Sequence, residues 1–150
     1  MRHTTMAAVA MVAAALLVSM PSWAGVLGAV DLLEKGDEIG AERALEGSEE
    51  DLPDAGDPAL HERLTQLREG PAFERLGKQG KAALLYLRAA TAPAGPARLD
   101  LLVEARSAAE GTFVRPFIHY ELGRLYEGSG ASRSAAIEYG AAAQLGRAWR

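Results

Sequence analysis

Few residues in this chain have the type and spacing that catalysis or metal binding requires. The 150-residue sequence contains no cysteine, which excludes thiol nucleophiles and thiolate metal sites. His61 is followed by Glu62 but lacks the second histidine of a zinc-binding HExxH helix, and His119 follows Ile118 within an apolar helical pattern. We therefore interpret both histidines as packing or groove residues, and we predict no enzyme activity, no metal and no cofactor.

The sequence also lacks the residue spacing or the charge that phosphate, calcium and nucleic-acid binding require. The glycines fall at helix turns rather than between a strand and a helix, so no phosphate-binding loop is indicated. Asp51, Asp54 and Asp57 are three residues apart, unlike the alternate ligands of an EF-hand, which favours a solvated acidic loop. A net charge of -4 without a basic aromatic patch argues against nucleic-acid binding.

The last third of the chain predicts a pair of helices. One apolar helical face is formed by Ile118, Leu122, Leu125 and Tyr126. The pattern breaks at Gly128-Ser129-Gly130 and resumes with Ala135, Ala136, Tyr139, Ala142, Ala143 and Leu145. This spacing predicts two antiparallel helices joined by a tight turn.

The same hairpin resembles the tetratricopeptide repeat (TPR). His119, Leu122, Gly123, Tyr126, Ala135 and Tyr139 fall at the family's W-x2-L-G-x2-Y…A-x3-F spacing, with histidine in place of tryptophan. Arg147 stands where the family has proline. Gly123 and Ala135 are small enough to let two helices approach closely, while Tyr126 and Tyr139 fill the adjacent space.

Parts of this spacing recur twice earlier in the chain. The offsets of Gly130, Ala135 and Tyr139 match those of Gly36, Ala41 and Leu45, and also those of Gly77, Ala82 and Tyr86. Gly70, which precedes Pro71, corresponds to Gly123. We predict an all-α fold of antiparallel helix hairpins stacked as a short irregular TPR-like solenoid, with repeats near residues 25–48, 59–92 and 116–147 and an extra helix near 97–110.

The first 24 residues are typical of a secretory signal peptide. A basic start is followed by the apolar run 6–18, and Ser22 and Ala24 occupy the small-residue positions that a signal peptidase recognises. The run is shorter than the about 20 residues that spanning a bilayer needs, so a retained membrane anchor is the weaker interpretation. We therefore predict cleavage near Ala24, a mature domain at 25–150 without a membrane span, and a periplasmic or secreted location.

The charges are distributed unevenly along the predicted mature chain. Residues 25–62 carry 12 acidic and 2 basic side chains, whereas residues 63–150 carry 8 acidic and 13 basic ones. This difference in sign favours either recognition of a charged partner or self-association, and a plain solvated surface also accounts for it.

The resemblance implies a concave face, lined by the first helix of each pair, that holds a segment of another protein. The corresponding positions are Phe117, Tyr120, Arg124 and Glu127 in the last repeat, and Leu64, Leu67, Pro71 and Glu74 in the second. Phe117, Leu64 and Leu67 are better interpreted as core, and the predicted partner-binding residues are Tyr120, Arg124, Glu127 and Glu74. The predicted function is a non-enzymatic protein–protein interaction adaptor, and the alternative is a self-associating structural subunit of an envelope or secretion complex.

Overall fold

The computed structural model describes residues 23–46 and 55–148, and these ranges are helical without any strand, as predicted. Their helices are α1 (Trp23–Glu34), α2 (Glu38–Leu45), α3 (Pro58–Glu69), α4 (Pro71–Arg75), α5 (Lys78–Thr91), α6 (Pro96–Ala108), α7 (Arg115–Gly128) and α8 (Ser132–Ala148). The main packing pairs are α1 with α2, α3 with α5, α5 with α6, α6 with α7, and α7 with α8. None of the helices in these ranges has the length and apolarity that crossing a bilayer requires.

The predicted leader lies outside the described residues, apart from its last two positions. Helix α1 begins at Trp23, before the predicted cleavage site at Ala24. Its buried residues include Val26, Ala29, Val30 and Leu33, all of which follow that site. A chain that begins at Gly25 therefore keeps these four core residues.

A glycine with positive φ lies just after each of the helices α1 and α7. Gly36 has φ of 79° and Gly130 has φ of 80°, a backbone conformation that side chains with a Cβ rarely adopt. Five residues after each glycine a buried alanine follows, Ala41 in α2 and Ala135 in α8. The sequence offsets thus place equivalent turns in the first and last helix pairs.

The junction between α3 and α4 differs from that pattern. Gly70 has extended backbone angles and separates the two helices, whereas its predicted counterpart Gly123 lies within α7. The reason is Pro71, which lacks a backbone N–H and is accommodated at the first turn of α4. The predicted correspondence between Gly70 and Gly123 is therefore wrong.

Helix α5 is the central element, because α1, α2, α3 and α6 all pack on it. At its N-terminus, the carboxylate of Glu38 in α2 accepts a hydrogen bond from the backbone N–H of Gly80 at 2.6 Å. A Cβ at Gly80 would lie 2.2 Å from that carboxylate oxygen, so the glycine leaves room for it. Glu38 satisfies a free N–H of the first turn and places a negative charge at the positive end of the helix.

At the C-terminus of α5, the last carbonyl groups need partners from elsewhere. Two partners come from the start of α3. The His61 Nδ1 donates to the Arg88 carbonyl at 2.8 Å, and the backbone N–H of Asp57 donates to the Thr91 carbonyl at 2.8 Å. His61 therefore has a structural role in this fold, joining α3 to α5.

A third partner of the α5 C-terminus comes from α6. Arg98 is 1% exposed, and its Nε donates to the Ala92 carbonyl at 2.7 Å. Its Nη2 donates to the Ala90 carbonyl at 3.1 Å and also to the Ala92 carbonyl. One buried guanidinium thus satisfies the carbonyls that the end of α5 leaves without helical donors.

Helices α7 and α8 approach closely at Gly123. A Cβ added at this glycine would lie 2.7 Å from two ring carbons of Tyr139. Ile118, Leu122 and Ala135 are buried in the same region. The sequence predicted a close approach of the helices at Gly123 and Ala135 with Tyr139 filling the adjacent space, and the structure places the Tyr139 ring directly against Gly123.

We expect Gly123→Ala to lower the free energy of unfolding by about 1–2 kcal/mol, because the added methyl group displaces the Tyr139 ring by more than helix propensity recovers. Gly140→Ala is the matched control, since no atom of the described residues lies within 4 Å of a Cβ there. The control is expected to gain about 0.5–1 kcal/mol. Urea unfolding of both variants measures the difference. Equal stabilisation by the two substitutions would show that the contact at Gly123 imposes no packing constraint.

Candidate protein-interaction surface on the last two helices

Three of the four predicted partner-binding residues lie on one face of α7. Tyr120, Arg124 and Glu127 are separated by four and three residues, which places them one above the other along the helix. Ile118 and Leu122 occupy the opposite, buried face. The apolar period that buries one side of α7 therefore also brings these three side chains together on the other side.

Tyr120 is the exposed aromatic residue of this surface. It is 41% exposed, and its ring centroid lies 5.7 Å from that of Tyr139, with the two planes inclined by 52°. Such tilted pairs are a favourable arrangement of aromatic rings. Tyr139 thus supports Tyr120 from α8 and limits the orientations that the ring can adopt.

Glu127 is fixed by the same tyrosine. The Tyr139 hydroxyl donates to Glu127 Oε2 at 2.6 Å. Burial of Tyr139 and this hydrogen bond raise the pKa of Tyr139 to about 12, so it stays a neutral donor over the physiological range. Glu127 consequently has a defined position at the edge of the surface.

Arg124 is held in position by a buried carboxylate. Its Nη1 donates to Glu121 Oε2 at 3.3 Å, and Glu121 is 5% exposed. The two residues belong to the wall of a cavity of about 260 Å³. The complete wall is Arg98, Glu121, Arg124, Leu125, Glu127 and Gly128. The surface therefore combines an exposed aromatic ring with a charged cleft whose groups are already held in place.

Glu74 lies on a different part of the fold. It is in α4, which packs on α3, whereas α7 packs on α6 and α8. Its side chain is 77% exposed, with an oxygen 3.6 Å from Lys81 Nζ. The structure does not bring Glu74 next to the three residues of α7.

The other positions on the predicted face contribute mainly to packing. Leu64 is fully buried, and Leu67 is partly buried against the core. The Phe117 ring stacks on Tyr86 with a centroid distance of 6.1 Å, and burial raises the pKa of the Tyr86 hydroxyl. The core interpretation of these apolar residues agrees with their positions.

His119 lies beneath this surface in a buried charged cluster. Its Nδ1 is 2.5 Å from Glu138 Oε2, and Arg106 Nη1 donates to the other oxygen of Glu138 at 2.9 Å. His119 and Glu138 are 8% and 7% exposed. The cluster joins α6, α7 and α8 and fixes the two helices that form the surface.

Sequence reasoning missed three charged residues of this region: Arg98, Glu121 and Glu138. None of the three was singled out from the sequence. A signal was present for two of them, since Glu121 is three residues after Ile118 and Glu138 three residues after Ala135. Those offsets place both carboxylates beside the buried face.

The acidic loop that was considered for calcium is only partly described. Asp57 accepts a hydrogen bond from the Leu60 N–H at 3.1 Å and so begins α3, while Asp51 and Asp54 lie outside the described residues. Across residues 23–46 and 55–148 there is no group of three or more potential metal-binding side chains. Comparisons of the chain with protein-family models, curated proteins and solved structures gave no match.

Proposed function

We propose that this chain is an exported, non-enzymatic adaptor of TPR type that binds a segment of another protein. The binding surface is formed by Tyr120, Arg124 and Glu127 together with Tyr139, and we call it the α7–α8 surface. The observation that carries the proposal is the cluster of Tyr120, Arg124 and Glu127 beside a cleft of about 260 Å³. Tyrosine and arginine are the residue types that most often dominate the energetics of protein interfaces.

Pre-organisation supports this assignment. Arg124 is held by Glu121, and Glu127 by the Tyr139 hydroxyl. Because these side chains lose little further freedom on binding, a partner segment meets a smaller entropic cost than on a surface of mobile side chains. The cleft also offers donors and acceptors side by side, which suits the alternating polar groups of a polypeptide.

The order of packing supports the repeat-like architecture within which we place this surface. Most main contacts join helices that are neighbours or near neighbours in sequence, as in proteins built from stacked helical hairpins. The segments between the paired helices differ in length, and α6 stands between the second and third pairs. We therefore propose an irregular TPR-like stack with the binding surface on its last pair.

We expect the double variant Tyr120→Ala with Arg124→Gln to reduce recovery of a co-purified envelope or secreted protein by about tenfold or more. Glutamine is chosen at position 124 because a glutamate there would stand beside the buried carboxylate of Glu121. Affinity purification from the native compartment, followed by mass spectrometry, measures the recovery.

The matched control is Ile137→Ala with Arg133→Gln, which also removes an exposed apolar group and a cation four residues apart. Ile137 is 64% exposed on α8. Recovery is expected to remain unchanged in this control, and thermal unfolding followed by circular dichroism verifies that both variants are folded. Unchanged recovery with Tyr120→Ala and Arg124→Gln would remove the surface assignment.

A further inference from the structure

A second recess lies where the turn between α1 and α2 meets the α3–α4 junction. A cavity of about 270 Å³ and an adjoining one of about 80 Å³ share Glu34, Ala72 and Arg75 in their walls. We call the two cavities together the Arg75 groove. Its walls also include Lys35, Arg63 and Leu67.

The Arg75 groove is positively charged in a chain whose net charge is -4. Its walls hold three cations, Lys35, Arg63 and Arg75, against one carboxylate, Glu34. Arg63 is engaged, because its Nε donates to Glu34 at 2.6 Å and its Nη2 to Asp31 at 2.5 Å. This pairing lowers the pKa of Glu34, so the carboxylate stays ionised.

Lys35 and Arg75 differ from Arg63 in having no such partner. Neither side chain forms a hydrogen bond or an ion pair with another residue of the ranges 23–46 and 55–148. Both are exposed at the wall of the groove. Their charges are therefore available to an anionic ligand.

The floor of the groove is apolar. Leu67, Pro71 and Ala72 contribute to it, and Gly70 adds no side chain. Since an apolar cavity of about 150 Å³ accepts a benzene-sized group, this groove accepts one or two side chains. These dimensions suit an extended segment with a small apolar centre flanked by carboxylates.

The chain itself contains a segment of that chemistry. Residues 46–54, with the sequence EGSEEDLPD, carry five acidic side chains and no basic one, and Leu52-Pro53 supplies an apolar centre. We propose that the Arg75 groove of one copy of this protein binds the acidic segment 46–54 of a second copy. The basis is charge complementarity together with the apolar floor of the groove.

Helix geometry favours a second copy over the same chain. The segment follows α2, of eight residues, and precedes α3, of twelve, while the groove lies at the opposite end of each helix. At 1.5 Å per residue these helices span about 12 and 18 Å. A path into the chain's own groove and back needs about 30 Å of the about 40 Å that the 12 residues between Leu45 and Pro58 span at full extension, which leaves too little chain for the whole segment to lie in the groove.

Groove and segment are different surfaces, so the association is head-to-tail and sensitive to salt. It uses no residue of the α7–α8 surface. The proposal therefore stands or falls independently of the proposed adaptor function.

The test measures binding of a fluorescein-labelled peptide of residues 46–54 to the full chain by fluorescence anisotropy. We expect Lys35→Glu with Arg75→Glu to weaken binding by about tenfold or more. The matched control is Lys78→Glu with Arg133→Glu, which reverses two exposed cations outside the groove. The control is expected to change binding less than about twofold, and a peptide with glutamine and asparagine at the acidic positions to bind about tenfold more weakly.

Sedimentation velocity of the full chain then identifies the occupant. Association that grows with protein concentration and is lost in Lys35→Glu with Arg75→Glu supports a second copy. A chain that is monomeric at every concentration overturns the proposal, as does absence of peptide binding or equal weakening by the two double variants. Circular dichroism checks the fold, and Lys35→Gln with Arg75→Gln replaces the charge reversal if that variant is unfolded.

Discussion

We expect Arg98→Met to lower the free energy of unfolding by about 3–5 kcal/mol, because methionine leaves the Ala90 and Ala92 carbonyls buried without the donors of Arg98. Each unsatisfied buried acceptor costs about 1–3 kcal/mol, and donors that carry a charge make the stronger hydrogen bonds. The loss falls at the C-terminus of α5, the helix on which α1, α2, α3 and α6 pack. Urea unfolding followed by circular dichroism measures it.

Two further substitutions test the physical reason. Arg98→Lys keeps the charge but loses the planar guanidinium that reaches both carbonyls. We therefore expect its free energy of unfolding to lie between that of the wild type and that of Arg98→Met. Arg133→Met removes an exposed arginine from α8, and its effect is expected to stay within about 0.5 kcal/mol. A decrease of less than about 1 kcal/mol in the free energy of unfolding of Arg98→Met would indicate that water replaces the guanidinium. In that case α6 does not shield the end of α5 from solvent.

Arg98 also connects the central helix to the candidate interaction surface. Its side chain ends the hydrogen-bond pattern of α5 and at the same time belongs to the wall of the cleft beside Arg124. One wall of the cleft is therefore bonded to the C-terminus of α5. Moving Arg98 would leave the Ala90 and Ala92 carbonyls without their donors. This rigidity is one reason to expect that the surface keeps its shape before a partner binds.

Local sequence patterns were sufficient to predict the helical class and the packing of the last two helices against each other. The apolar period placed Ile118 and Leu122 inside, and the glycine break placed a turn before Ala135. Such features depend on residues within one or two helical turns of each other. The approach of Gly123 to Tyr139 followed from residue size at the predicted hairpin.

Contacts between distant segments were not predictable in the same way. Glu38 reaches the Gly80 N–H across 42 positions, and Arg106 pairs with Glu138 across 32. A charged residue in a helical pattern is usually solvated, so composition alone assigns such side chains to the surface. Only the packing of other helices converts Glu38 into a helix cap and Glu138 into a buried ion pair.

Glu138 in the last helix pair uses both carboxylate oxygens for contacts with other helices. Both its oxygens are bonded, one to His119 Nδ1 and the other to Arg106. The Arg106 side chain is 38% exposed and can reach water, whereas the Nε2 of His119 is buried and has no hydrogen-bond partner among the described residues. Loss of Glu138 therefore leaves the histidine buried without a hydrogen-bond partner, whereas the arginine can still bond to water.

We expect Glu138→Met to lower the free energy of unfolding by about 2–4 kcal/mol, since it leaves a buried imidazole without its remaining partner. Adding His119→Leu removes that stranded polar group, so the double variant is expected to be more stable than Glu138→Met alone by about 1 kcal/mol. Urea unfolding of the two single variants and the double variant gives the coupling energy between the residues. Glu110→Met, at an exposed position, is the control and stays within about 0.5 kcal/mol of the wild type. Additive losses from the two single substitutions would mean that His119 finds another partner when Glu138 is absent. The cluster would then consist of two independent contacts rather than one unit joining α6, α7 and α8.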